Sequence, residues 1–101
     1  MRRLTREEIA AGLEGLEGWA LVADRVEKTF GFASYADGVA FALRVALLAE
    51  RMDHHPDALT IGWKRVVVAY VTHSVGGVTE RDLEAARQVE TVYARMFAPN
   101  G

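Results

Sequence analysis

Three helix-entrance signatures punctuate this sequence and divide it: Thr5-Arg-Glu-Glu8, Ser34-Tyr-Ala-Asp37 and Thr79-Glu-Arg-Asp82. In each, a hydroxyl side chain stands three residues before a carboxylate. The hydroxyl can accept an orphan backbone N–H of the first turn, and the carboxylate can reach back to the N–H of the capping residue. Three helices are therefore expected to begin near these points. Whatever else the chain forms must fit into the two intervals between them.

Those intervals carry period-two patterns. The first helix shows Ile9, Leu13 and Leu16 at helical spacing, and Gly15 and Gly18 mark its exit. Trp19 to Ala23 reads as a short strand, Asp24-Arg25 as a tight turn, and Val26 to Ala33 as a half-buried strand. In that second strand Val26, Lys28, Phe30 and Phe32 share one face, with Glu27 and Thr29 on the other. The second helix is predicted over roughly Tyr35 to Met52. Leu43, Ala46, Leu47 and Glu50 form one stripe on it, and Phe41, Val45, Leu48 and Met52 a neighbouring one. So wide an apolar surface predicts burial on two sides, one against a sheet and one against another subunit.

Pro56 closes the helix region, because the residue before proline avoids the helical conformation. Leu59 to Trp63 and Val66 to His73 read as strands joined at Lys64-Arg65, with Gly62 as a bulge marker and Gly76-Gly77 as a loop. The third helix is expected to bury Leu83, Ala86, Val89, Tyr93, Met96 and Phe97, and Pro99 to Gly101 to fray. Trp19 and Trp63 both read as core. The expected architecture is a single α+β domain over residues 1–101. It is a two-layer sandwich in which a four-stranded antiparallel sheet carries three helices on one face.

Composition narrows the function. With 101 residues, half of them apolar, one modest core is expected, and assembly into an oligomer would enlarge it. Twelve basic residues against fourteen acidic ones leave a net charge of −2 and no basic stripe for direct contact with nucleic acid. The absence of cysteine removes disulfides, thiolate nucleophiles and cysteine zinc sites, and fits a reducing cytoplasm. The charged start Met1-Arg-Arg-Leu-Thr-Arg lacks the apolar run of a signal peptide. The apolar stretch Val39 to Ala49 is interrupted by Arg44 and is too short to span a membrane.

All three histidines fall in one window, at His54, His55 and His73. Histidine alone has an unperturbed pKa close to neutrality, so such a cluster points to proton transfer. Glu50 precedes His54 by four residues and would share its helix face if the helix ran that far. A carboxylate beside an imidazole favours the charged ring, which suits a general acid. Asp53 and His55 would serve the neighbouring face. His73 closes a strand, and Asp82 sits in the first turn of the third helix. Histidines with carboxylates nearby could also bind zinc or iron, but adjacent rings point apart and no spacing matches H-E-x-x-H. No metal or cofactor is expected.

Glu50-x-x-x-His54-His55-Pro56, the aromatic Trp63, His73 and Asp82 together resemble the signature of the pterin-4a-carbinolamine dehydratases. Arg44-Val-Ala-Leu47, Ala49-Glu50, Thr72-His73 and Thr79-Glu-Arg-Asp82 look like segments of the same family. The order of elements is similar over nearly the whole chain. The resemblance implies dehydration of a 4a-hydroxytetrahydropterin to a quinonoid dihydropterin, without metal or cofactor, in tetrahydrobiopterin recycling. It implies His54, His55 and His73 as the catalytic residues, with His54 and His73 as acids and His55 mainly holding the pterin. It implies Glu50, Asp53, Arg81, Asp82 and Trp19 as residues that line the pocket or orient the histidines. It also implies a homotetramer or homodimer. Two departures stand out. The stretch from Pro56 to Trp63 is one residue longer than in animal members, and Ala58 stands where those members place an aromatic. The alternatives are a non-catalytic binding or dimerisation partner on the same fold, and a pterin enzyme of a molybdopterin-related pathway.

Overall fold

The computed structural model describes residues 1–97. In chain order it contains α1 (Arg6–Gly12), β1 (Ala20–Val22), β2 (Arg25–Gly31), α2 (Tyr35–Met52), β3 (Ala58–Gly62), β4 (Arg65–Tyr70), a 3₁₀ turn (His73–Val75) and α3 (Glu80–Phe97). The strands form one antiparallel sheet in the order β1-β2-β4-β3. The expected α+β sandwich is the observed one. The predicted tail, Pro99 to Gly101, lies outside the described residues.

All three entrance signatures act as caps. Thr5 and Glu8 exchange both bonds of a capping box, at 3.1 and 2.8 Å. The Ser34 hydroxyl accepts the Asp37 amide at 3.1 Å. At α3 the Asp82 carboxylate accepts the Thr79 amide at 2.8 Å, and the Thr79 hydroxyl accepts that of Arg81 at 3.2 Å.

The core lies between the sheet and the helices. Val26, Phe30, Val66, Val68 and Tyr70 from the sheet meet Phe41, Val45 and Leu48 of α2 and Leu83, Ala86 and Val89 of α3. Each large apolar side chain fully buried here contributes about 1.5–3 kcal/mol of transfer free energy. The opposite sheet face pairs Glu27 with Ala69 and Thr29 with Val67, and Arg25 lies against both Glu27 and Asp57. Charged residues line that face part-exposed, and Ala69 is fully buried on it. Lys28 points inward with Val26 and Phe30, and its ammonium reaches Glu90 of α3 at 2.5 Å.

The differences from expectation are local. Both hairpin turns fall one residue earlier, at Ala23-Asp24 and Trp63-Lys64, since Val22 faces Arg25 and Gly62 faces Arg65. Ala23 and Lys64 adopt left-handed conformations, at φ 55° and 56°, where glycine is the usual signal. Gly62 keeps regular register and forms no bulge. The fourth strand ends at Tyr70, not at His73, because Thr72 bridges to Gly77 and folds the chain into the 3₁₀ turn. Trp63 is not core: it is 72% exposed on the β3–β4 turn and stacks on Tyr35. Phe97 is half-exposed but packs on Phe32 and Tyr93. On α2, Leu43 and Leu47 remain 60% and 52% exposed, so the second apolar side is uncovered in the single chain.

Candidate active site

The site is made by the way α2 stops. Asp53 caps the helix in the left-handed conformation, at φ 51°, with its amide on Ala49 and Glu50 carbonyls. A non-glycine residue there costs on the order of 1 kcal/mol, and Arg81 of α3 helps hold the turn. Its guanidinium donates to the Asp53 carbonyl at 2.5 Å and the Met52 carbonyl at 3.4 Å. These are terminal carbonyls that the helix itself cannot satisfy. The chain then rises through Pro56 into β3, where the Asp57 amide donates to Ala69.

This reversal turns the two adjacent histidines apart. His54 goes inward and is 7% exposed. Its Nε2 lies 2.6 Å from Asp82 Oδ1, and its ring stacks on Tyr70 with centroids 5.3 Å apart. Asp82 is fully buried, and its other oxygen accepts from the Thr72 hydroxyl and the Thr79 amide, both at 2.8 Å. The Thr79 hydroxyl donates in turn to Thr72 at 2.9 Å. An ionised carboxylate offers only acceptors, so the hydrogen on the imidazole bond belongs to Nε2, and Nδ1 is the nitrogen left for other work.

His55 goes outward. Its side chain is 59% exposed and its Nε2 lies 2.5 Å from Glu50 Oε2. Glu50 thus serves His55 instead of His54, because α2 ends before His54 can occupy the position one turn on. The carboxylate of His54 is Asp82, from a different helix. His73 is 75% exposed, with Nε2 2.9 Å from Asp57 Oδ1. The Arg25 guanidinium donates to the other oxygen of Asp57 at 2.8 Å. That bond, helped by the nearby His73, holds the Asp57 carboxyl below its ordinary value although partial desolvation opposes it. Every histidine of the chain therefore has a carboxylate partner.

A family model described as pterin 4 alpha carbinolamine dehydratase matches residues 2–92. The chain belongs to this family. A provisionally named pterin-4-alpha-carbinolamine dehydratase of Thermosynechococcus vestitus is 42% identical over 89% of this chain and 94% of its own length. A relative of the same name from Sulfolobus acidocaldarius is 39% identical, covering 89% of this chain and 98% of that one. Among solved structures, a transcriptional coactivator/pterin dehydratase from Brucella melitensis superposes with a TM-score of 0.83 at 35% identity, over 90% of this chain and 98% of that one. A pterin dehydratase-like protein described as a RuBisCO assembly factor in the alpha-carboxysome superposes at 0.61 over 73% of this chain and 84% of its own. At 24% identity that likeness is one of fold.

Of the residues that the family resemblance points to, the structure joins Glu50 to His55 and Asp82 to His54, and seats Arg81 against the α2 terminus beside Asp53. Asp53 contributes its carbonyl to that seat, and the residue is exposed. Trp19 packs edge-on to Phe30 and donates its indole N–H to Glu90 at 2.9 Å; none of its partners is a histidine. Sequence reasoning passed over Asp57, Thr72, Thr79 and Tyr70 as parts of the site. Asp57 was within reach, since it follows Pro56 inside the histidine window; Tyr70 carries no local signal. Among the described residues no three histidine, aspartate or glutamate side chains converge on a metal-sized point. No helix among the described residues is long and apolar enough to cross a membrane.

Proposed function

We propose that this chain dehydrates a 4a-hydroxytetrahydropterin to the quinonoid dihydropterin, in tetrahydrobiopterin recycling. The observation that carries the reading is the pairing of each of the three histidines with its own carboxylate, in a chain of the dehydratase family. In this reaction the bond from carbon 4a to its hydroxyl breaks. The leaving oxygen takes a proton and departs as water, and a ring nitrogen of the pterin gives a proton up. Net proton count is conserved, so imidazoles acting as acid and base suffice, and such groups contribute about 10²–10⁴-fold.

His73 is assigned as the acid that protonates the leaving hydroxyl. The second proton-transfer role falls to His55, because its imidazole is open while His54 is buried with one nitrogen committed to Asp82. His54 then offers Nδ1 to the pterin as a fixed binding contact. Glu50 and Asp53 hold the aminopyrimidine edge, and Arg81 keeps the loop of Asp53 in place. Trp19 supports the core beneath. No metal or cofactor enters these steps, and a cytoplasmic location is the compartment proposed.

A homo-oligomer belongs to the same proposal. Leu43 and Val39 on α2 and Ile61 and Trp63 on the edge hairpin are exposed apolar side chains, and β3 has an unpaired edge. Light scattering should return a dimer or tetramer mass, and Leu43→Glu should lower it.

The deciding experiment generates a 4a-hydroxytetrahydropterin and follows quinonoid product by absorbance. The wild type should accelerate product formation far above background, unchanged by chelator, and His55→Ala and His73→Ala should remove most of the acceleration. Folded protein that gives no acceleration would overturn the assignment for this substrate.

A further inference from the structure

Among the described residues four of the twelve basic side chains stand against a carboxylate. Arg2 meets Glu8, Arg25 meets Glu27 and Asp57, Lys28 meets Glu90, and Arg87 meets Glu80 and Glu84. Arg44, Arg51 and Arg95 are among the eight that do not. Among the described residues none of the three has a carboxylate within ion-pair distance, yet all three line one cleft of about 330 Å³, together with Leu47 and Val92.

The placement follows from helix geometry. Arg44, Leu47 and Arg51 stand at i, i+3 and i+7 on one face of α2, and Val92 and Arg95 stand at i and i+3 on α3. The chain as a whole is net acidic, at −2, so the cationic lining is not a by-product of a basic protein. Like charges around one cavity repel. A guanidinium presents a planar fork of donors that matches phosphate and carboxylate oxygens two at a time. The two aliphatic side chains give a ligand's apolar part something to pack on. A cleft of this volume falls at the small end of ligand sites.

We propose that the α2–α3 cleft binds a small organic polyanion, clamped by Arg44, Arg51 and Arg95, with its apolar body against Leu47 and Val92. No histidine lines this cleft, and the proposal is independent of the dehydratase reading. The shared chemistry is two or more anionic groups of phosphate or carboxylate type on a compact frame.

The test is isothermal titration of the intact protein with inorganic pyrophosphate and, separately, with citrate, at low and at physiological salt. Saturable one-to-one binding that weakens with salt is expected for at least one probe, and the tighter of the two assigns the anion type. Arg51→Ala and Arg95→Ala should each weaken it at least about tenfold, the effect of losing one charge-assisted contact. Arg65→Ala, an exposed arginine on β4, should leave it unchanged. These are surface positions, and circular dichroism checks that each variant is folded. Absence of saturation at millimolar probe, or equal weakening by Arg65→Ala, overturns the proposal. So does a changed oligomeric mass in Arg95→Ala without probe binding to the wild type, which would make the cleft a protein interface.

Discussion

His54 and His55 are adjacent in the chain and opposite in environment. His54 is walled in by Tyr70, Asp82 and the two threonines behind it, while His55 and the more distant His73 lie open with carboxylates at the surface. The difference originates in one backbone residue, the left-handed Asp53, which ends α2 and sends successive side chains in different directions. Two imidazole–carboxylate contacts of nearly equal length, 2.6 and 2.5 Å, therefore have unequal consequences. A buried pair cannot lose one member without leaving the other unsolvated. An exposed pair loses little, because water takes the vacant place.

The largest expected effect breaks the buried side. Asp82→Ala removes the acceptor of His54 Nε2, of the Thr72 hydroxyl and of the Thr79 amide together. A stability loss of about 3–5 kcal/mol is expected, read as a fall in the urea midpoint. Next come the exposed histidines. His73→Ala and His55→Ala should each lower kcat/KM by about 10²–10⁴-fold, with urea midpoints close to wild type. If either variant unfolded instead, the division into structural and reactive histidines would fail.

A third experiment uses pH. Asp57 is held below its ordinary value of 3.8, first by Arg25 and then by His73. A depressed folded value means that its contribution to stability is present above pH 3.8 and is lost as pH falls through the lower folded value. Asp57→Asn should flatten the stability curve in that acid window and lower stability near neutrality, where the charged carboxylate contributes, while the two proteins converge at the acid end. The smallest effects sharpen the contrast. Glu50→Gln, on a side chain 72% exposed, should cost about 0–1 kcal/mol. Tyr70→Phe should be neutral or stabilising by about 1 kcal/mol, because the buried Tyr70 hydroxyl has no hydrogen-bond partner, and burial pushes its pKa up to about 12.

What the sequence disclosed and what it hid follow the range of the forces involved. The three caps are local, made by residues three apart, and they located α1, α2 and α3 within a residue or two. The alternation in β2 reports burial on one face and was equally legible. The hairpin turns slipped by one because Ala23 and Lys64 adopt a conformation that a glycine would have announced. The second helix ends at Met52 as expected, but its left-handed cap at Asp53 carries no glycine signal, and the pairing of Glu50 with His54, which needed a longer helix, does not form. The bond from His54 to Asp82 spans 28 residues. No periodicity encodes such a contact; it exists only once α2 and α3 have docked. Tyr70 was hidden for the same reason, reading as one more apolar strand residue.

The two oxygens of Asp82 also tie two events into one. The carboxylate that fixes His54 is the one that accepts the first free amide of α3, at Thr79. The Thr79 N–H can exchange with solvent deuterium only when that carboxylate lets go, and letting go also releases the imidazole. Local melting at the start of α3 and loosening of the buried histidine should then occur as a single opening, with one free energy. The exchange rate of this one amide becomes a gauge of how often the site comes apart, readable without substrate and without a mutation.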